Sequence, residues 1–174
     1  YYLRRLRPSS DSLANKNDTS IDEDEWLKPF WSRIIDVTSC LLLVCPDNST
    51  AWADRSRALL YLEEHTTMNK SALFMSELRF LDLVFTQHSK KPSAWVHRKW
   101  TCRRVLQCFL DDPSEICLET KTWTKLIDWA TSEVTVMTRI AELNPKNYYA
   151  WTHRLFVTKT LLQTCLQEKA KNFG

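Results

Sequence analysis

Apolar residues recur at helical spacing along this chain, and short polar or proline-bearing breaks interrupt the pattern. Trp31, Ile34, Ile35, Thr38, Leu41 and Leu42 form one stripe that stops at Cys45-Pro46, and Trp52, Arg55, Leu59 and Leu60 carry the next, from about Thr50 to Glu64. Phe74, Leu78, Leu81 and Phe85 lead to the break Ser89–Pro92, after which Trp95, Cys102, Val105, Leu106 and Phe109 run on to Asp111-Asp112-Pro113. Ser114 is placed to cap the fifth segment, which is long and carries Trp123, Leu126, Ile127, Ala130, Val134, Met137 and Ala141 as far as Asn144-Pro145. The sixth carries Trp151, Leu155, Leu161, Leu162, Cys165 and Leu166. Proline cannot continue a helix and keeps its predecessor out of the helical region, so each break ends one helix and opens the next. The pattern therefore predicts an all-α protein of three antiparallel helical hairpins, over residues 31–64, 69–110 and 114–170. Ahead of them, Tyr1–Arg7 is read as a helix tail and Pro8–Ser20 as a polar loop. The acidic run Asp22–Glu25 favours a helix start, and the whole looks like part of a longer chain.

The hairpins share an internal repeat. The sequences CPDNSTAWADRSR (Cys45–Arg57), KKPSAWVHRKW (Lys90–Trp100) and NPKNYYAWTHRLF (Asn144–Phe156) each place a tryptophan three residues before an arginine: Trp52 with Arg55, Trp95 with Arg98, Trp151 with Arg154. Residues three apart on a helix share a face. A tryptophan between stacked helices buries much apolar area and needs a partner for its ring N–H. The arginine beside it must be met by helix-end carbonyls or by a carboxylate, because an unpaired buried charge is very costly. All three pairs are thus expected to hold hairpins together, along with His97 and His153. The tryptophans stand 43 and 56 residues apart (95−52 and 151−95), which fits poorly with tetratricopeptide units of about 34 residues.

Composition agrees and narrows the chemistry. One glycine among 174 residues argues against a β-rich or disordered chain. With 24 basic and 21 acidic side chains the net charge is only +3, too balanced for a nucleic-acid-binding surface. The six cysteines include no Cys-x-x-Cys pair, and the four histidines lack zinc spacing, so no metal site is expected. Cysteines on apolar helix faces read as reduced core thiols of a cytoplasmic protein. No run is long enough to cross a bilayer.

NPKNYYAWTHRLF resembles the repeat of protein prenyltransferase alpha subunits, in which an Asn-Tyr pair precedes a Trp, a His and an Arg; Asn147, Tyr148, Trp151, His153 and Arg154 supply it. The second copy keeps Trp95, His97, Arg98 and Trp100 but has Pro92 in place of the Asn-Tyr pair, and the first keeps Trp52 and Arg55. Ile34–Trp52 is most similar to a divergent, alpha-like branch of that family. The resemblance implies a right-handed crescent of hairpins wrapped around a separate beta subunit, that of Rab geranylgeranyltransferase. That subunit would hold the zinc, the isoprenoid diphosphate and the acceptor cysteine of a protein substrate with a C-terminal cysteine; this chain itself would hold no cofactor. It further implies that Lys90 and Tyr148 support the departing diphosphate as catalytic residues, with Asn147 and Tyr149 at the substrate-binding mouth. Other readings of the same residues stand beside these. Lys90 and Lys91 also fit a solvated turn, Asn147 a helix cap, and Tyr148 a packing residue. The basic cluster His97, Arg98, Lys99, Arg103 and Arg104 fits an interface for acidic residues of the beta subunit, a diphosphate-attracting strip or plain surface. The eroded first and second repeats also fit a non-enzymatic helical-repeat scaffold for protein-protein interaction.

Overall fold

In the computed structural model, residues 19–65, 69–111 and 119–172 are described. They form six helices in chain order: α1 (Thr19–Val44), α2 (Ser49–His65), α3 (Lys70–His88), α4 (Pro92–Leu110), α5 (Glu119–Leu143) and α6 (Tyr148–Asn172). No strand occurs among the described residues. The helices pair as α1/α2, α3/α4 and α5/α6, each pair packing more extensively than any other combination, so the three expected hairpins are present. α1 begins at Thr19, which places its first turns ahead of the apolar pattern starting at Trp31. The expected helix tail Tyr1–Arg7, most of the polar loop and the cap at Ser114 lie outside the described residues.

The starts of α2, α3 and α4 follow from their breaks. Asn69 Oδ1 accepts the Ser71 N–H at 2.9 Å and caps α3. Pro92 occupies the first turn of α4, where a missing N–H costs nothing and a fixed φ suits the helix. At α2, Asn48 Oδ1 accepts the Ala51 N–H at 3.0 Å.

The core is built where second helices meet. Trp52 and Trp95 are buried, and their indole N–H groups donate to carbonyls six residues back in their own turns, Pro46 O and Ser89 O, both at 2.8 Å. Trp52 packs on His97 of the following hairpin with centroids 4.5 Å apart. Trp95 stacks on Phe85 at 4.2 Å and meets His153 of the following hairpin at 5.5 Å. The third copy departs from expectation. Trp151 is 51% exposed, and Arg154 is exposed beside it, its guanidinium 5.9 Å from the Trp151 ring. Leu155, Leu162 and Leu166 are exposed as well. The first two tryptophans are covered by the hairpin that follows them; among the described residues none follows α6, so the same sequence pattern stands open to solvent.

Candidate functional site

Two polar clusters of one design tie the hairpins together. In the first, Arg55 of α2 grips Glu77 of α3 with Nε–H and Nη2–H donating to the two carboxylate oxygens, both at 2.7 Å. His97 of α4 donates from Nε2 to the same oxygen as Arg55 Nε, also at 2.7 Å. In the second, Arg98 of α4 grips Glu133 of α5 at 2.9 and 2.7 Å, and His153 of α6 donates to the oxygen shared with Arg98 Nε at 3.2 Å. Each arginine also reaches back into its own hairpin, where Nη1 donates to the carbonyl twenty residues earlier: Arg55 to Ile35 O at 2.8 Å and Arg98 to Leu78 O at 3.5 Å. Bonds to Ser39 Oγ and to Asp82 Oδ1 fall sixteen residues back in both, and Arg55 Nη1 donates to Thr38 Oγ1 as well. Arg98 thus has a partner for every face of its fork, as a fully buried guanidinium must.

The electrostatics follow from burial and pairing. Burial pushes the Glu133 carboxyl up, but the Arg98 charge and hydrogen bonds from His153 and Arg98 outweigh it and hold it at about 2. Glu77 is held below its ordinary value in the same way, burial being outweighed by hydrogen bonds from His97 and Arg55. Burial lowers His153 despite Glu133, and it raises the Asp82 carboxyl and the Cys102 thiol.

His153 and Glu133 make the protein acid-sensitive in a defined direction. A carboxylate held at about 2 contributes stability that is full above its unfolded value and is lost as pH falls toward 2. A histidine kept neutral in the fold binds a proton more readily when unfolded, so its contribution shrinks as pH falls below the ordinary imidazole value. Both act with the same sign. The urea midpoint is expected to drop between about pH 7.5 and pH 5, and to drop less in His153→Asn; a variant slope equal to that of the parent chain would contradict the assignment.

Cys102, Glu133 and His153 bring one donor atom each within 4.8 Å of one another. Their chemistry does not suit a divalent ion. Both Glu133 oxygens are taken by Arg98, the guanidinium occupies the space beside them, and the raised Cys102 thiol stays protonated. The cluster is a structural core.

Lys90 and Tyr148, expected near a diphosphate, and Asn147 and Tyr149, expected at the substrate-binding mouth, lie along one edge, where the hairpin turns line up. Ser89 O accepts from both Trp95 Nε1 and Asn147 Nδ2, the latter at 2.7 Å, so the second and third turns are pinned together. Lys91 Nζ donates to Asp47 Oδ2 at 2.6 Å across the first and second turns. Lys90, next to Ser89, and Tyr148, next to Asn147, are both exposed on this edge. Tyr149 is half-buried and meets Tyr148 edge-on, with centroids 6.0 Å apart. Asn147 corrects the expectation for it: the residue is 1% exposed, and its Oδ1 accepts the N–H groups of Tyr149 and Ala150 at 3.2 and 3.4 Å. Cap and turn tie use both ends of its amide, in keeping with the helix-cap reading.

The basic cluster is not one surface. His97 and Arg98 are buried in the two clusters above, and Arg104 pairs with Glu63 of α2. Lys99 and Arg103 lie over the Phe156 ring at 5.8 and 5.1 Å, facing an open groove of about 480 Å³ between α4 and α6 that also receives Lys159. Glu77 and Glu133, which carry the inter-hairpin contacts, went unnoticed in the sequence. The available signal was a glutamate twenty residues ahead of the histidine in both repeats (97−77 and 153−133). The five described cysteines are free thiols, and no helix among the described residues is long and apolar enough to cross a membrane.

Fold and site together define a helical-hairpin repeat protein whose units are cross-tied by a Trp–Arg pair on one hairpin and a Glu–His pair on the next. Residues 130–161, from the middle of α5 into α6, match the protein prenyltransferase alpha subunit repeat. The chain carries the repeat of the protein prenyltransferase alpha-subunit family. It is 32% identical over 141 residues to the protein prenyltransferase alpha subunit repeat-containing protein 1-A of Xenopus laevis, a match covering 77% of this chain and 30% of that protein. To the protein prenyltransferase alpha subunit repeat-containing protein 1 of Homo sapiens it is 31% identical over 142 residues, covering 79% and 32%. The geranylgeranyl transferase type-2 subunit alpha of Rattus norvegicus is more distant, 29% identical over 125 residues, covering 71% of this chain and 18% of that protein. The chain thus spans under a third of the length of these relatives.

Proposed function

We propose that this chain is the repeat portion of an alpha-type subunit in a heterodimeric protein prenyltransferase, assisting geranylgeranyl transfer from its diphosphate to a protein cysteine held by a cytoplasmic beta subunit, that of Rab geranylgeranyltransferase. The observation that carries this reading is the similarity to type-2 geranylgeranyl transferase alpha subunits, together with Lys90 and Tyr148 exposed on one turn edge. Zinc bound in the beta subunit would lower the acceptor thiol's pKa and present a thiolate. The residues of this chain act on the other partner of the reaction. As the bond from the isoprenoid carbon to the diphosphate breaks, charge grows on the departing oxygens, and a lysine ammonium there stabilises it more in the transition state than in the ground state. The Tyr148 hydroxyl donates a hydrogen bond to the same group.

The test is co-purification of the full-length protein with the beta subunit, followed by transfer of labelled geranylgeranyl to proteins with C-terminal cysteines. Lys90→Ala in the assembled heterodimer is expected to lower kcat roughly tenfold or more while leaving assembly intact. An unchanged kcat would remove Lys90 from the reaction. No complex with the beta subunit would leave the array as a non-enzymatic scaffold.

A further inference from the structure

The open groove between α4 and α6 is walled by three cations, Lys99 and Arg103 of α4 and Lys159 of α6, and floored by Leu155 and Phe156. No acid lines it. α4 carries no Asp or Glu at all, and α6 has none before Glu168. Among the described residues none of the three cations has a carboxylate partner, whereas Arg55, Arg98, Arg104 and Lys91 each have one. The fold does not require this charge. One repeat earlier, the junction of α2 with α4 has Ser56 and Leu60 at the places of Lys99 and Arg103 (99−43 and 103−43), and there Arg104 pairs with Glu63. In the α4/α6 junction Thr160 stands at the place of Arg104 (104+56) and Leu106 at that of Glu63 (63+43). Two positions that are uncharged in one junction are thus cationic in the next, and the acid that could answer them is gone. Like charges held around one aromatic ring repel, and a negative ligand relieves that cost.

We propose that this groove docks an extended acidic segment of a partner protein, with carboxylates on three successive residues. Lys99 and Arg103 are four residues apart, a rise of about 6 Å along α4. In an extended chain residues i and i+2 point to one side roughly 6.6 Å apart, and residue i+1 points to the other. Carboxylates at i and i+2 therefore meet Lys99 and Arg103, and the one at i+1 meets Lys159 across the groove. The lining runs along α6 from Thr152 to Gln163, about 16 Å, which gives room for about five extended residues. A compact anion is served less well. Every lining residue lies past the first turn of its helix, where the backbone N–H groups are already bonded, so the groove offers none of the free amides that hold phosphates at helix starts. A membrane surface calls for apolar side chains standing out between the cations, and here Phe156 lies beneath them. The proposal rests on the charges of α4 and α6, and holds whether or not the chain serves a transferase.

The test titrates the full chain with a fluorescein-labelled peptide of five glutamates between glycines, and with the same peptide carrying glutamines, by fluorescence anisotropy. At low salt the glutamate peptide is expected to bind about tenfold more tightly or better, with the preference shrinking as salt rises. Lys99→Gln, Arg103→Gln and Lys159→Gln are each expected to weaken it roughly threefold, and the three together by about tenfold or more. Arg154→Gln removes the same charge from α6 outside the groove, and is expected to change binding less than about 1.5-fold. Replacing all three groove cations by Glu gives a second reading that does not depend on a loss: this variant is expected to prefer a peptide of five lysines. Equal effects of Arg154→Gln and Lys159→Gln would overturn the proposal, because the attraction would then be one of net charge. So would equal binding of the glutamate and glutamine peptides while the same three cations hold inorganic diphosphate, or vesicles of phosphatidylserine and phosphatidylcholine; the groove would then belong to a small anion or to a membrane surface.

Discussion

Arg98→Met is expected to destabilise the protein by about 3–5 kcal/mol, because it leaves the Glu133 carboxylate buried with its main partner gone. Arg98 is fully buried and Glu133 nearly so. Methionine replaces most of the volume but none of the donors, so the loss reads the charge and not a cavity. His153 does not rescue the site, since burial keeps its imidazole on the neutral side and one N–H cannot replace the two bonds of a guanidinium fork. The double variant Arg98→Met/Glu133→Leu is expected to recover most of the loss, as buried ion pairs often exchange for apolar side chains at little cost. Urea unfolding of both variants checks this. A single-variant loss below about 1 kcal/mol would mean that Glu133 finds other partners or protonates without penalty.

Trp95→Ala is expected to cost about 3–5 kcal/mol and Trp151→Ala less than about 1 kcal/mol, although the two tryptophans occupy the same place in the repeat. Trp95 fills the space between Phe85 and His153 and donates its indole N–H to Ser89 O, so its removal opens a cavity and leaves that carbonyl with Asn147 as its side-chain donor. Trp151 is half in solvent and has little to collapse around it. Equal losses for the two variants would show that α6 is covered in solution by something the isolated chain does not display.

The helices and the breaks between them were legible because local chemistry decides them, whereas the start of α1 at Thr19 lies ahead of the apolar pattern. Pro46, Pro92 and Pro145 fall at breaks between helices, although Pro29 lies inside α1, and apolar spacing marks which side turns inward. The Trp-x-x-Arg copies were legible for the same reason, as residue types at a fixed interval. Their partners were not. Glu77 and Glu133 look like ordinary surface acids on amphipathic helices, and only the stacking of one hairpin on the next places them against Arg55 and Arg98. Asn147 gives the converse lesson. Its place in the family pattern points to the mouth of a site, yet the turn before it packs on Ser89 and uses its amide in the fold.

The amino-acid sequence alone thus determined that this protein is a run of helical hairpins, where the breaks within them fall, and which tryptophans and arginines belong to the repeat. Those properties depend on dihedral limits, helix periodicity and neighbours a few residues apart. Which copies of the repeat are buried, where the neutralising carboxylates come from, and that Lys90 and Tyr148 share one exposed edge were decided only by the tertiary structure. Burial and charge pairing depend on what lies across an interface, and residues twenty to sixty positions apart meet there only once the hairpins have stacked.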